Sequence, residues 1–294
     1  MRWEFWGVAY GMTLLAVTPV EGAWDDAPEI KTASFIVKTN LSEDLADALL
    51  PEVDGLLDRT EGALREIVDL SPRGPHKFRL LLFATMEAYR AYVSAIMTPS
   101  LRESFVEHSG GYFSDVRNEI VLSCPTGDAG DCRSGLVHEF THALSGRSFF
   151  MAGGERVNWN QVMPAWLDEG LAEYLTMRIE PPRTPYWQTL KVAVTQNTLM
   201  PLGDLIDREK RPLDHPLFYP CAWALVAFLI DQDPSGSPKQ MKAYLQLLKT
   251  TRFAADEVGQ FETIFGKSQD VEAAWKQFIE SAVDNAGIRR RRTR

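Results

Sequence analysis

Cysteine is scarce in this chain: three residues among 294, none in a C-x-x-C pair. That excludes a thiolate zinc scaffold and a disulfide-dense miniature domain. No uncharged run reaches the roughly 20 residues that a membrane-spanning helix needs. Basic charge is also short, with 31 Lys and Arg against 40 Asp and Glu and a net charge of −9. A protein that neutralises phosphates needs a basic face, so nucleic acid is excluded as the main partner. Five of the last six residues are arginine (Arg289, Arg290, Arg291, Arg292 and Arg294), which leaves 26 basic against 40 acidic residues in the body. Internal repeats are lacking too. The 45% hydrophobic and 24% charged content is that of an ordinary globular protein, long enough for about two domains.

Near the N-terminus, Phe5 to Val20 is uncharged and follows Arg2, and small residues around Gly22 and Ala23 offer a cleavage site. Too short to span, this segment fits a signal peptide over residues 1–22, so the chain is expected to be exported, with no membrane span after cleavage. Cys124 and Cys132 bracket a seven-residue loop that a disulfide could close in an oxidising compartment; two free thiols are the alternative. Cys221 sits in an apolar run and reads as a buried small hydrophobe.

The hydrophobic pattern predicts α+β architecture: a small mixed-sheet lobe over residues 23–146, a mainly helical lobe over 147–288, and a basic tail at 289–294. Strands are expected at Ser34–Thr39, Phe78–Ala84, Tyr112–Ser114 and Glu119–Leu122, the last two joined by a turn at Asp115–Asn118. Apolar steps of three and four mark a helix between Ser42 and Leu70 that Pro51 should kink or split. Another helix follows Thr85, and one is expected over Ser134–Ser145. After the long loop 146–163, Pro164 suits the first turn of a helix, and only helices follow: 164–179, 185–196, 219–232, 238–250, 256–265 and 269–286.

His138-Glu139-Phe140-Thr141-His142 spells H-E-x-x-H. On a helix, imidazoles at i and i+4 leave one face about one turn apart and can share a tetrahedral zinc ion. Glu139, rotated about 100° away, lies beside the metal, where a carboxylate can act as general base on a water. Leu136, Val137, Ala143 and Leu144 make the surroundings apolar, and two histidines and a glutamate are costly there without a cation. A catalytic zinc takes three protein ligands and a water. Glu169 and Glu173 are again i and i+4, in an otherwise apolar helix, so Glu169 is expected as the third ligand, with Glu173 hydrogen-bonded to one imidazole behind it.

H-E-F-T-H-A-L followed by W-L-D-E-G-L-A-E-Y resembles the gluzincin metallopeptidases, the thermolysin-like and aminopeptidase-N-like group. Within it the chain is most similar to the peptidase-MA-like family of exported bacterial hydrolases. The resemblance covers roughly residues 33–232 and includes the Gly111-Tyr112-Phe113 and Asn118–Leu122 segments and the helix from Tyr219 through Trp223. It implies one zinc ion per chain held by His138, His142 and Glu169, with Glu139 as general base and a peptide or protein substrate. Gluzincins place a tyrosine beyond the third ligand to stabilise the oxyanion. Tyr219 matches that place, and His215 is the alternative. The 26 residues between His142 and Glu169 exceed the usual gluzincin spacing and read as an insertion at the cleft rim, carrying Phe149, Phe150 and Trp159. The G-x-M-E-N segment by which aminopeptidases hold a free N-terminus is absent, which favours an endopeptidase. The strand at Asn118–Leu122 is expected to border the cleft, with Asn118 and Ile120 meeting an extended peptide. Two other readings are a non-catalytic envelope binding protein and a zinc hydrolase of a non-peptide amide or ester.

Overall fold

A computed structural model describes residues 29–71, 73, 76–96, 110–150, 163–181, 186–210, 215–251 and 256–292. The signal-like segment 1–22, the glycines and Trp159 of the loop, and His108 lie outside the described residues. Five strands form one mixed sheet: β1 (Ile30–Lys31), β2 (Phe35–Thr39), β3 (Phe78–Phe83), β4 (Gly111–Ser114) and β5 (Glu119–Ser123), in the order β1-β2-β3-β5-β4. β2, β3 and β5 run parallel, with Phe35 opposite Phe78 and Arg79 opposite Glu119, while β1 and β4 are antiparallel edges.

Parallel strands need covered faces on both sides, and β3 shows why. Leu80 and Leu82 point into the main core, whereas Leu81 and Phe83 point the other way, against Tyr89 and Val93 of α3 (Met86–Ile96). The crossover from β2 to β3 is helical. Pro51 splits it as expected, into α1 (Glu43–Leu49), a 3₁₀ turn at Leu50–Glu52 and α2 (Val53–Arg65).

After β5 comes α4 (Ala129–Phe150), longer at both ends than the sequence pattern suggests. Its early start has a local cause: the Asp128 carboxylate accepts the Gly130 and Asp131 N–H groups at 2.9 and 3.1 Å, capping the helix ahead of Cys132. Cys124 and Cys132 are disulfide-bonded, which ties the end of β5 to the first turn of α4; Cys221 is buried and free.

The remaining described elements are helices α5 (Ala165–Ile179), α6 (Trp187–Thr195), α7 (Leu202–Ile206), α8 (Phe218–Asp231), α9 (Lys239–Thr251), α10 (Glu257–Phe265) and α11 (Ser268–Arg292), with a 3₁₀ turn at Arg208–Lys210 between α7 and α8. Pro164 stands at the cap of α5, one position before the helix, where its carbonyl accepts the Leu167 and Asp168 N–H groups at 3.0 Å each. α8 is buried on nearly every side, from Phe218 to Leu229. The main core is continuous from Phe35 in the sheet to Ile279 in α11, so sheet and helices share one apolar interior.

α4 and α5 lie antiparallel, in a register set by polar contacts. Ser134 Oγ donates to the Glu180 carbonyl at 2.7 Å at one end, and His142 Nδ1 meets Asp168 Oδ1 at 2.9 Å at the other. Between them His138 faces Glu173. This pairing brings the two i, i+4 motifs together.

Candidate metal centre

α4 is buried along most of its length, and its interior polar residues serve themselves: Thr141 Oγ1 donates to the Val137 carbonyl at 2.8 Å and Ser145 Oγ to the Thr141 carbonyl at 2.6 Å. The two imidazoles have no such outlet and project towards α5. His138 Nε2, His142 Nε2 and Glu169 Oε2 converge on one point. The imidazole nitrogens are 3.1 Å apart, and the carboxylate oxygen is 3.3 Å from the first and 3.7 Å from the second. A tetrahedral ion about 2.0–2.1 Å from each donor requires donors roughly 3.3–3.4 Å apart, so the triangle fits zinc coordination.

The opposite nitrogens are also occupied. His142 Nδ1–H donates to Asp168 Oδ1 at 2.9 Å, and His138 Nδ1–H donates to Glu173 Oε1 at 3.3 Å. With each Nδ1 committed as a donor, both Nε2 atoms present lone pairs to the same point as a carboxylate oxygen. Three electron-rich atoms at that spacing demand a positive charge among them, either a proton or a metal ion. The same demand shows in the imidazole pKa values: although burial disfavours the charged imidazoles, hydrogen bonds to Glu169 and Glu173 raise His138 to about 10. The carboxylates of Asp168 and Glu169 likewise raise His142 well above its ordinary value. Glu169 is pulled the other way, below the usual carboxylate range, because both imidazoles outweigh its burial.

Glu139 stands beside this triangle and outside it. It is 5% exposed, its Oε2 has no hydrogen-bond partner among the described residues, and burial lifts its pKa to about 7 against the pull of the imidazoles. A buried carboxylate with an unengaged oxygen and a pKa near neutrality suits a proton acceptor.

Tyr219, in the first turn of α8, is partly buried, and its phenol pKa is raised by desolvation and then by the charges of Glu169, Glu173 and Glu139, so it faces the same cluster. His215 is committed differently: its Nδ1 accepts the Leu217 N–H at 3.1 Å ahead of α8.

The cleft-edge expectation for Asn118–Leu122 is corrected. β5 is paired on both sides, by β3 and β4, so its backbone has no free ladder for a peptide. The Ile120 side chain is fully buried in the core. Asn118, at φ 49° in the hairpin turn, accepts from Arg147 at 2.6 Å and donates to the Lys77 carbonyl at 2.7 Å. The chain crosses over before returning, which leaves β4 as the edge of the sheet on the β5 side, paired on one side only among the described residues.

Two participants escape the sequence reading. Asp168 adjoins Glu169, and an acid next to an expected ligand on a helix's first turns was the signal available. Tyr186 hydrogen-bonds Glu173 from the start of α6. No local pattern points to it, because the contact joins separate elements.

The described residues hold one His/Cys/Asp/Glu group fit for a metal ion: His138, His142 and Glu169. Against known families, the model of the collagenase family Peptidase_M9 matches residues 134–278, a stretch that contains the whole cluster from His138 to Tyr219. No curated protein matches the chain. A collagenase-type match laid over two histidines and a glutamate at zinc-coordinating spacing supports a metallopeptidase, a hydrolase acting on peptide or protein substrates.

Proposed function

We propose that the chain is an exported, zinc-dependent endopeptidase of gluzincin type, holding one zinc ion through His138, His142 and Glu169. The observation that carries this reading is the 3.1–3.7 Å donor triangle with a Glu139 oxygen beside it that has no partner among the described residues. A bound zinc ion supplies Lewis acidity towards water and towards the scissile carbonyl. The protein's own groups supply the rest. Glu139 takes the proton of the attacking water and returns it to the leaving amine. Tyr219, kept protonated at neutral pH by partial desolvation and the neighbouring carboxylates, donates to the carbonyl oxygen as charge gathers there. The open side of β4 pairs an extended peptide, and because Gly111 passes directly against Glu139, pairing there brings peptide backbone to the base. Both ends of such a peptide run past the strand, which favours internal bonds over termini. The Cys124–Cys132 disulfide supports an oxidising compartment, in keeping with export. A binding protein has no need of a buried base beside its metal ligands, and Glu139 therefore argues for catalysis.

The test is metal analysis of the purified protein together with peptide-library cleavage by the wild type and Glu139→Ala. The expected result is one zinc per chain in both and a cleavage rate about 10²–10⁴-fold lower in the variant. Stoichiometric zinc without Glu139-dependent cleavage of internal bonds would overturn the peptidase reading.

A further inference from the structure

We infer that Tyr186 is a positioning residue for the metal centre, acting through Glu173 on His138. The inference rests on the reading of His138 as a metal ligand. Tyr186 is fixed at both ends. Its carbonyl accepts the Leu190 N–H at 2.9 Å, closing the first turn of α6. Its ring lies against Trp223 of α8, with centroids 6.0 Å apart, and Trp187 meets the same indole at 4.4 Å, edge to face. From that braced position the phenol donates to the Glu173 carboxylate, whose Oε1 stands 3.3 Å from His138 Nδ1.

A carboxylate gripped by a single donor can rotate about its last torsion. One gripped by two donors on different helices cannot do so without breaking a hydrogen bond. With its side chain only 12% exposed, Glu173 has little water to replace the phenol. The hydroxyl therefore holds Glu173, and Glu173 holds the plane in which His138 offers Nε2. Outer partners of this kind change metal affinity by about 10–100-fold.

The experiment measures zinc affinity at fixed pH by competition with a chromophoric chelator, for wild type, Tyr186→Phe, Glu173→Gln and the double variant. Cobalt absorption spectra and melting of the metal-free proteins accompany it. Phenylalanine keeps the ring against Trp223 and removes only the hydroxyl. The expected result is about tenfold weaker zinc binding and altered cobalt bands in Tyr186→Phe, with metal-free melting unchanged and the double variant no weaker than Glu173→Gln. Wild-type affinity in Tyr186→Phe, or penalties that add in the double variant, overturns the inference and leaves the metal site standing. A wild type that binds no zinc overturns the metal-site reading and the inference with it.

Discussion

At Gly111 an added methyl would lie 2.8 Å from Oε1 of Glu139, 2.9 Å from Leu122 Cδ1 and 3.0 Å from the Val121 carbonyl oxygen. No real Cβ sits that close to three neighbours, so in Gly111→Ala either β4 or the base has to move. The proposed mechanism depends on Glu139 as base, and misplacing a reacting group by about an ångström costs on the order of 10²-fold. Gly111→Ala should therefore lose at least about tenfold in kcat/KM on a peptide substrate while keeping its zinc, read by steady-state kinetics and metal analysis. Asp54 tests stability without touching the site. Its carboxylate accepts from Ser34 N at 2.8 Å and from Thr32 Oγ1 and Ala33 N at 3.1 Å each, fastening the β1–β2 turn to α2. Partial burial opposes ionisation, but these donors outweigh it and hold the pKa below the usual aspartate range. A depressed folded-state pKa contributes stability above the unfolded value of about 4, and that stability is lost as pH falls through the folded value. Asp54→Asn should cost about 1 kcal/mol at pH 6, with the gap to wild type shrinking by pH 3, as measured by urea melts.

Among the elements, the close pair is α5 with α8. A Cβ on Gly170 would meet the Ala222 carbonyl oxygen and Val226 Cγ2, each at 2.7 Å. The missing side chain lets α8 settle against α5 and carries Tyr219 to the carboxylates of Glu169 and Glu173. Alanine improves intrinsic helix propensity by about 1 kcal/mol, yet overpacking a tight helix contact costs about 1–3 kcal/mol. Gly170→Ala is expected to be destabilised, by about 1–2 kcal/mol in a denaturant melt. The i, i+4 spacings of His138/His142 and Glu169/Glu173 disclosed which residues share a helix face. They could not disclose that the faces oppose each other antiparallel, since that register depends on contacts such as Ser134 with Glu180, 46 positions apart. Strand order escaped for a similar reason: β5 reads as an edge by its place in the chain, and only hydrogen bonding across the sheet puts β4 outside it.

For the molecule as a whole, the centre joins α4, which follows directly from the sheet, to α5, which opens the helical region. An ion held by both helices binds the folded state alone, so it stabilises by mass action. At a free zinc concentration of 100 Kd the gain is about 2.7 kcal/mol. Removing metal with a chelator should lower the melting temperature by roughly 5–10 °C, and added zinc should restore it, as followed by calorimetry. An unchanged melting temperature would count against an ion bridging the two helices. Charge also looks different at this scale. The −9 total includes Asp168, Glu169 and Glu173, which face imidazoles instead of solvent, so part of the acidic excess belongs to one buried centre.

The spacing of the candidate metal ligands is legible in the chain before it folds. Helical periodicity is a local property, and two histidines and three glutamates at fixed spacing carry their geometry wherever the helices go. The sequence by itself determined the break at Pro51, the β4–β5 hairpin and the α+β class for the same local reason. Tertiary structure alone decided which residues complete the site. Asp168 and Tyr186 become its hydrogen-bond partners, Tyr219 joins the carboxylates, and Asn118 and Ile120 are taken up by the fold itself. Those outcomes follow from how helices and strands are registered against one another, which depends on packing across the whole core and is written in no single stretch of chain.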